Sequence, residues 1–262
     1  MKVYLNVKYD IMNYNQFSNL SCYEEFEIKS SLTGFSKVDV LREIGHQIND
    51  YYFFVSNDGI FNWYDLEGNH IENPGVLKEL RSEHIPKNIS ECIIPDGVTS
   101  IGEGAFSYCE SLQSITLPNN VISIGNDAFY DCNSLKEIII PDSVTCIGNW
   151  VFSLCKSLQS ITIPNGVKYI GNGSFSHCES LTSITLPDKV TSIGVDAFYC
   201  CESLKEIIIP DSVTSIGYGT FSFCDSLKEI IFKGKTLEEV KRMEYYPFGI
   251  KDESIIKVSE MI

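Results

Sequence analysis

The chain has 262 residues, is 44% apolar and carries a formal charge of −15 at pH 7. That length supports a substantial core, and that acidity disfavours direct binding to nucleic-acid phosphates or anionic lipid. The first residues, MKVYLNVKYDIMNYNQF, hold no apolar leader segment, and no run of roughly 18 apolar residues occurs, which speaks against membrane insertion.

Taken in chain order, residues 1–71 are non-repetitive. Strands are predicted at 2–9 and 24–32, a helix from Lys37 to about Asn49, and further strands near 51–55 and 60–65. Ser36 with Asp39 forms a helix-start signature, Val38, Leu41, Ile44 and Ile48 give the helix an apolar stripe, and Asn57-Asp58-Gly59 is a tight-turn sequence. The order fits a small α+β module of grasp-like character. It serves either as a cap on the rest of the chain or as a separate recognition domain.

From residue 72 onward the chain becomes periodic. Pro95, Pro118, Pro141, Pro164, Pro187 and Pro210 recur every 23 residues without insertion or deletion. Columns run with them: Val98 to Val213, Ile101 to Ile216, Phe106 to Phe221, Leu112 to Leu227 and Ile115 to Ile230. A fixed period of this size marks a solenoid, in which no unit buries its apolar face alone and stacking lines up equivalent residues. Segments such as Leu135-Lys136-Glu137-Ile138-Ile139-Ile140 have the spacing of a short strand with alternate residues inward, so one strand per repeat builds one parallel sheet. Proline then ends each strand. The Gly102 to Gly217 column marks unusual backbone angles or close packing, and the Ser111 to Ser226 column reads as buried hydroxyls satisfying turn backbone. The Asp96, Asn119, Asp142, Asn165, Asp188 and Asp211 column reads as turn chemistry after proline rather than a cation ladder.

Cys109, Cys132, Cys155, Cys178, Cys201 and Cys224 share one repeat position among Phe and Leu, where cysteine acts as a small hydrophobe and stacked neighbours make poor disulfides. Cys200 is the candidate exposed thiol. Reduced cysteines without a leader point to the cytoplasm, or to the cell surface if a signal peptide has been removed. Residues 105–155 and 174–224 match at an offset of 69, three repeats, so the array grew by duplicating a block.

The unit LKEIIIPDSVTSIGYGTFSFC closely resembles the BspA-like leucine-rich repeats over roughly residues 89–232. Ile89, Cys92 and Ile94 fall on the Leu, Ile and Ile positions of a preceding repeat, making 72–94 a degenerate first coil. The resemblance implies a right-handed, leucine-rich-repeat-like α/β solenoid used for adhesion or protein recognition, with no catalytic residues to carry over. The expected organisation is therefore a module or cap at 1–71, a solenoid at 72–232 with six regular repeats from 95, and a C-terminal cap at 233–262. In that cap Thr236-Leu237-Glu238-Glu239 opens a helix, and Tyr245, Tyr246, Phe248 and Ile255 seal the last coil.

Residues 95–232 hold fifteen carboxylates against six lysines and no arginine, a net of −9. Such a surface attracts a basic protein, a nucleic-acid-handling one included, whose site the array would occupy as an inhibitor. Two stripes are candidate partner-binding surfaces. On the sheet, Ile139, Ile208 and Ile231 lie outward beside Glu137, Glu206 and Glu229. On the turns, Trp150 stands where other repeats have Gly or Asp, near Tyr130 and Tyr199. His46, His70, His84 and His177 are scattered and no phosphate-binding glycine loop occurs, so neither an enzyme, a metal nor a cofactor is expected. The functional expectation is a protein-binding solenoid, with a cell-surface adhesin as the alternative.

Overall fold

Continuous runs rich in large apolar residues at 51–55 and 61–64, buried on both faces, form antiparallel strands near the start of the computed structural model, which describes residues 41–42, 45–56 and 58–259. The strands expected at 2–9 and 24–32 and the Ser36 helix start lie outside the described residues. Strands β1 (His46–Ile48), β2 (Tyr51–Val55), β3 (Phe61–Asp65) and β4 (His70–Ile71) form a meander in that order. Tyr51 sits opposite Asp65 and Val55 opposite Phe61. One face of the meander sends Phe53, Val55 and Trp63 into the same core as Leu77, Leu80 and Ile89 of the first coil. The other face packs Tyr52, Phe54 and Tyr64 around Leu41.

The helix expected to reach Asn49 stops early. The Gly45 amide donates to the Leu41 carbonyl at 2.8 Å, and His46–Ile48 are already strand. Asn49, at φ 52°, begins the reversal into β2. Ile48 fits a helical stripe and a strand face equally well, and Gly45 is the stop signal that decides between them.

The solenoid rests on two parallel ladders, one more than the sequence pattern predicts. The longer-stranded ladder has rungs beginning at 91, 114, 137, 160, 183, 206, 229 and 256. Its register keeps like on like: Cys92 opposite Ile115, Ile161 opposite Ile184, and Ile207 opposite Ile230. The 137 rung forms no regular strand and the 183 and 206 rungs are not paired, so the ladder runs in three pieces, 91–114, 160–183 and 206–229–256. A second ladder of two-residue strands runs through Leu80, Ile101, Ile124, Ile147, Ile170, Ile193 and Ile216. Helix is sparse; within 58–259 the α-helix is Leu237–Lys241. Its capping box is formed, with the Glu239 amide donating to Thr236 Oγ1 and the Thr236 amide to Glu239 Oε2.

Three columns hold the coils together. Phe106, Phe129, Phe152, Phe175, Phe198 and Phe221 stack with centroids 5.3–5.7 Å apart and planes within 15°, all but fully buried. Each buried cysteine thiol from Cys132 onward donates to the Phe carbonyl of the coil before. Cys132 reaches Phe106 and Cys155 reaches Phe129 at 3.2 Å, and Cys224 reaches Phe198 at 3.0 Å. Asn126, Asn149 and Asn172 form a side-chain ladder in which each carboxamide oxygen accepts the backbone amide one coil later, at 2.8–2.9 Å.

The Gly102 to Gly217 column resolves in favour of close packing. None of the six has a positive φ, and a side chain would meet backbone of the preceding coil, at Leu80 O for Gly102 and Asn126 N for Gly148. The serines at 111, 134, 157, 180, 203 and 226 are exposed or half-buried rather than buried, because the turn beside them is closed by backbone: Leu112 N to Cys109 O at 3.0 Å, and so on along the array. The turn after each proline is likewise closed by backbone, Val98 N to Pro95 O through Val213 N to Pro210 O.

At the C-terminal end, Ile256–Ser259 pairs in parallel with Glu229–Lys233, placing Ile256 beside Ile230 after 26 residues rather than 23. The chain thus makes one further coil, and the short helix takes up the added length. Phe248 is fully buried and Tyr246 and Ile255 pack on the core, whereas Tyr245, expected to help seal it, is 49% exposed.

Candidate functional site

Each coil turns through a tight segment that requires two residues in left-handed backbone. The first such position carries Gly104, Asp127, Trp150, Gly173, Asp196 and Gly219, with φ from 52° to 67°. The second carries Tyr108, Asp131, Leu154, His177, Cys200 and Phe223, with φ from 56° to 62° and no glycine at all. Asp tolerates this region; a bulky residue there is an outlier that costs free energy. Trp150 and the aromatic residues of the second column are therefore held against backbone preference.

At the first position, glycine in the next coil makes room for Trp150 and Asp196. A methyl group on Gly173 would overlap the Trp150 indole, and one on Gly219 would overlap the Asp196 carboxylate. The turns together form an open groove of about 880 Å³ across five coils. Trp150, 39% exposed, lies at its middle, with Asp127 and Tyr130 on one side and Asp196 and Tyr199 on the other. The flanking pairs are copies of one another in the 69-residue duplication. Tyr130 meets Tyr108 edge-on at 5.5 Å, and Tyr199 meets His177 at 5.4 Å and Phe223 at 5.2 Å.

Partial burial raises the carboxyl groups of Asp127 and Asp196 above the ordinary range, with Glu103 adding to the effect at Asp127. Neither forms an ion pair among the described residues. Burial, followed by Tyr108, also raises the Tyr130 hydroxyl.

The sheet stripe lies on a separate stretch of each coil, so the structure does not bring the two candidate surfaces together. Ile139 is 83% exposed and Ile208 41%, as the alternation predicts, while Ile231 is half-buried between rungs carrying Ile208 and Lys257. Ile93, 70% exposed, extends the apolar column to the degenerate first rung and was legible from its 23-residue offset from Thr116. Glu137, Glu206 and Glu229 are exposed, but each follows an exposed lysine, Lys136, Lys205 or Lys228, which offsets the local charge.

Two sequence expectations change. The most exposed thiol among the described cysteines is Cys146, and Cys200 is half-buried. The histidines are not all scattered, since the His46 and His84 rings meet at 4.9 Å against Phe53, where β1 joins the first coil. Burial, then His46, lowers His84 to about 4, and burial lowers His46 as well. Among the described residues no group of three or more His, Cys, Asp and Glu could hold a metal ion. No helix among them is long and apolar enough to cross a membrane.

A stack of short coils with two parallel ladders, a phenylalanine spine and a groove of turn side chains defines a leucine-rich-repeat-type solenoid. The chain belongs to the family described as BspA type leucine rich repeat region, which it matches in six copies over residues 84–178 and 152–258. It is similar to a leucine rich cell surface protein from Faecalibacterium prausnitzii (34% identity, TM-score 0.56), with 72% of this chain covering 54% of that one. It is also similar to the Treponema pallidum leucine rich repeat protein (30% identity, TM-score 0.57), with 70% of this chain covering 90% of that one. The chain thus spans about half of the Faecalibacterium protein. No curated protein matches it.

Proposed function

We propose that this chain is a non-enzymatic protein-binding array whose acidic repeat surface takes a basic protein partner. The observation that carries the reading is the pairing of charge with aromatic side chains that line the groove, Trp150 exposed and Tyr130 and Tyr199 half-buried. The repeats hold a net −9 without arginine, and Asp127 and Asp196 stand unpaired beside Trp150, Tyr130 and Tyr199. Exposed Trp and Tyr anchor interfaces, and complementary charge speeds encounter. The sheet stripe of Ile139, Ile208 and Ile231 with Glu137, Glu206 and Glu229 is the second contact surface. Occupying the basic site of a nucleic-acid-handling protein would make the chain an inhibitor of it. The test is binding of purified basic proteins to the immobilised chain at low and high salt, with Glu137→Lys, Glu206→Lys and Glu229→Lys alongside. Loss of binding at high salt supports the reading; binding indifferent to salt removes its electrostatic basis.

A second reading is a cell-surface adhesin, favoured over a cytoplasmic setting by the description of the Faecalibacterium protein. Binding to extracellular-matrix proteins in preference to intracellular basic proteins distinguishes it.

A further inference from the structure

The acidic-array reading leaves open which surface selects the partner, and the turn groove supplies the answer. Three features converge there. First, Trp150 occupies a left-handed position, φ 56°, that Gly104, Gly173 and Gly219 fill in other coils. A bulky residue kept where glycine is easier marks strain retained for a use. Second, the two flanking Asp–Tyr pairs are raised from the same repeat position three coils apart. At about 4.8 Å per hydrogen-bonded coil, and 5.2–5.7 Å between the stacked rings of successive coils, they stand roughly 14–17 Å from one another. Third, their carboxylates lack the lysine neighbours that offset those on the sheet.

A carboxylate beside an aromatic ring suits a guanidinium or ammonium group, which pairs with the first and lies over the face of the second. An extended chain advances about 3.3 Å per residue, so side chains four apart are separated by roughly 13 Å, and the flexible stems of arginine or lysine span the few ångströms that remain. We propose, resting on the acidic-array reading, that the groove binds an extended peptide segment carrying two basic side chains at positions i and i+4. One engages Asp127 and Tyr130, the other Asp196 and Tyr199, and the intervening backbone crosses Trp150. The spacing is set by the three-repeat duplication, which makes the groove a ruler for cation separation. A neutral oligosaccharide, which also stacks on aromatic residues, needs neither the unpaired carboxylates nor their separation.

The test uses the full chain and tryptophan fluorescence. The chain has two tryptophans, and Trp63 is 2% exposed, so a ligand-dependent change reports on Trp150. The probes are synthetic peptides of equal composition with arginines four, two or seven residues apart, a glutamine-substituted control, and neutral hexasaccharides. The expected result is that the four-residue spacing binds about tenfold more tightly than the other spacings. The Asp127→Asn/Asp196→Asn variant should erase that preference while staying folded, because asparagine accepts left-handed backbone. Spacing-independent binding, binding of the saccharides instead, or no fluorescence change would overturn the proposal. The two readings fail separately. If the peptides bind but respond only to Glu137→Lys, Glu206→Lys and Glu229→Lys, the groove is wrong and the acidic array stands. If no basic peptide or protein binds, both fall.

Discussion

Replacing Gly173 with alanine tests the most specific packing relation in the groove. Gly173 sits at φ 58°, and an added methyl would occupy the space of the Trp150 indole. The left-handed backbone alone costs a non-glycine residue about 1 kcal/mol. Overpacking adds about 1–3 kcal/mol. Gly173→Ala should therefore destabilise by about 2–4 kcal/mol, and for a chain this size the melting temperature should fall by about 10 °C. Removing the indole first changes the outcome. In a Trp150→Gly background only the backbone cost remains, about 1 kcal/mol and about 3 °C. Trp150→Gly alone should leave stability within about 1 kcal/mol of the parent, because relief of left-handed strain offsets the packing lost. Thermal melts of the four proteins, followed by far-UV circular dichroism, complete the double-mutant cycle. An equal penalty for Gly173→Ala in both backgrounds refutes the stacking of Trp150 on Gly173.

Three other predictions bear on the array. Phe152→Ala opens a cavity between Phe129 and Phe175, both about 5.5 Å away, and should cost about 3–5 kcal/mol in urea unfolding, whereas exposed Ile139→Ala should be nearly silent. Burial pushes Cys109 and Cys224 up to about 12, so at mildly alkaline pH a disulfide reagent should label exposed Cys146 and leave the ladder thiols unmodified until the chain unfolds. Loss of one rapidly labelled thiol per chain in Cys146→Ser, counted beside the parent, checks the assignment. The His46–His84 pair gives a pH dependence. Both are lowered when folded, so the unfolded chain binds more protons between about 4 and 6.5, and stability falls as pH drops through that window. Glu83 and Glu79 oppose the shift at His84 and Arg81 adds to it, so His84→Gln should flatten the dependence; an unchanged profile contradicts it.

The apolar columns were legible because a 23-residue period writes each one six times, and Val98, Ile101, Phe106 and Leu112 are all fully buried. The second ladder was not, since a strand of two residues such as Ser123–Ile124 has no alternation to detect. Gly102 and its equivalents attract attention as glycines, yet left-handed backbone falls two and six residues further on, partly at Asp, Trp, Leu and His, whose identities do not announce it. The groove stripe was visible as an interruption, Trp150 among Gly and Asp, but its lining needed the stacking of coils. The His46–His84 contact depends on how β1 meets the first coil, which no local pattern encodes. Cys146 is the outward residue of the two-residue strand Cys146–Ile147, whereas Cys200 sits half-buried in a left-handed turn, a difference that adjacency to Cys201 does not encode.

Recognition of a basic partner through the repeat array is tested by the salt dependence of binding to a purified basic protein, measured with the parent chain and with Asp127→Asn/Asp196→Asn. Affinity should fall steadily as salt rises, and the variant should bind more weakly with a shallower dependence. Equal affinity at low and high salt, unchanged in the variant, would contradict a repeat array that recognises its partner through unpaired carboxylates and exposed aromatic turns.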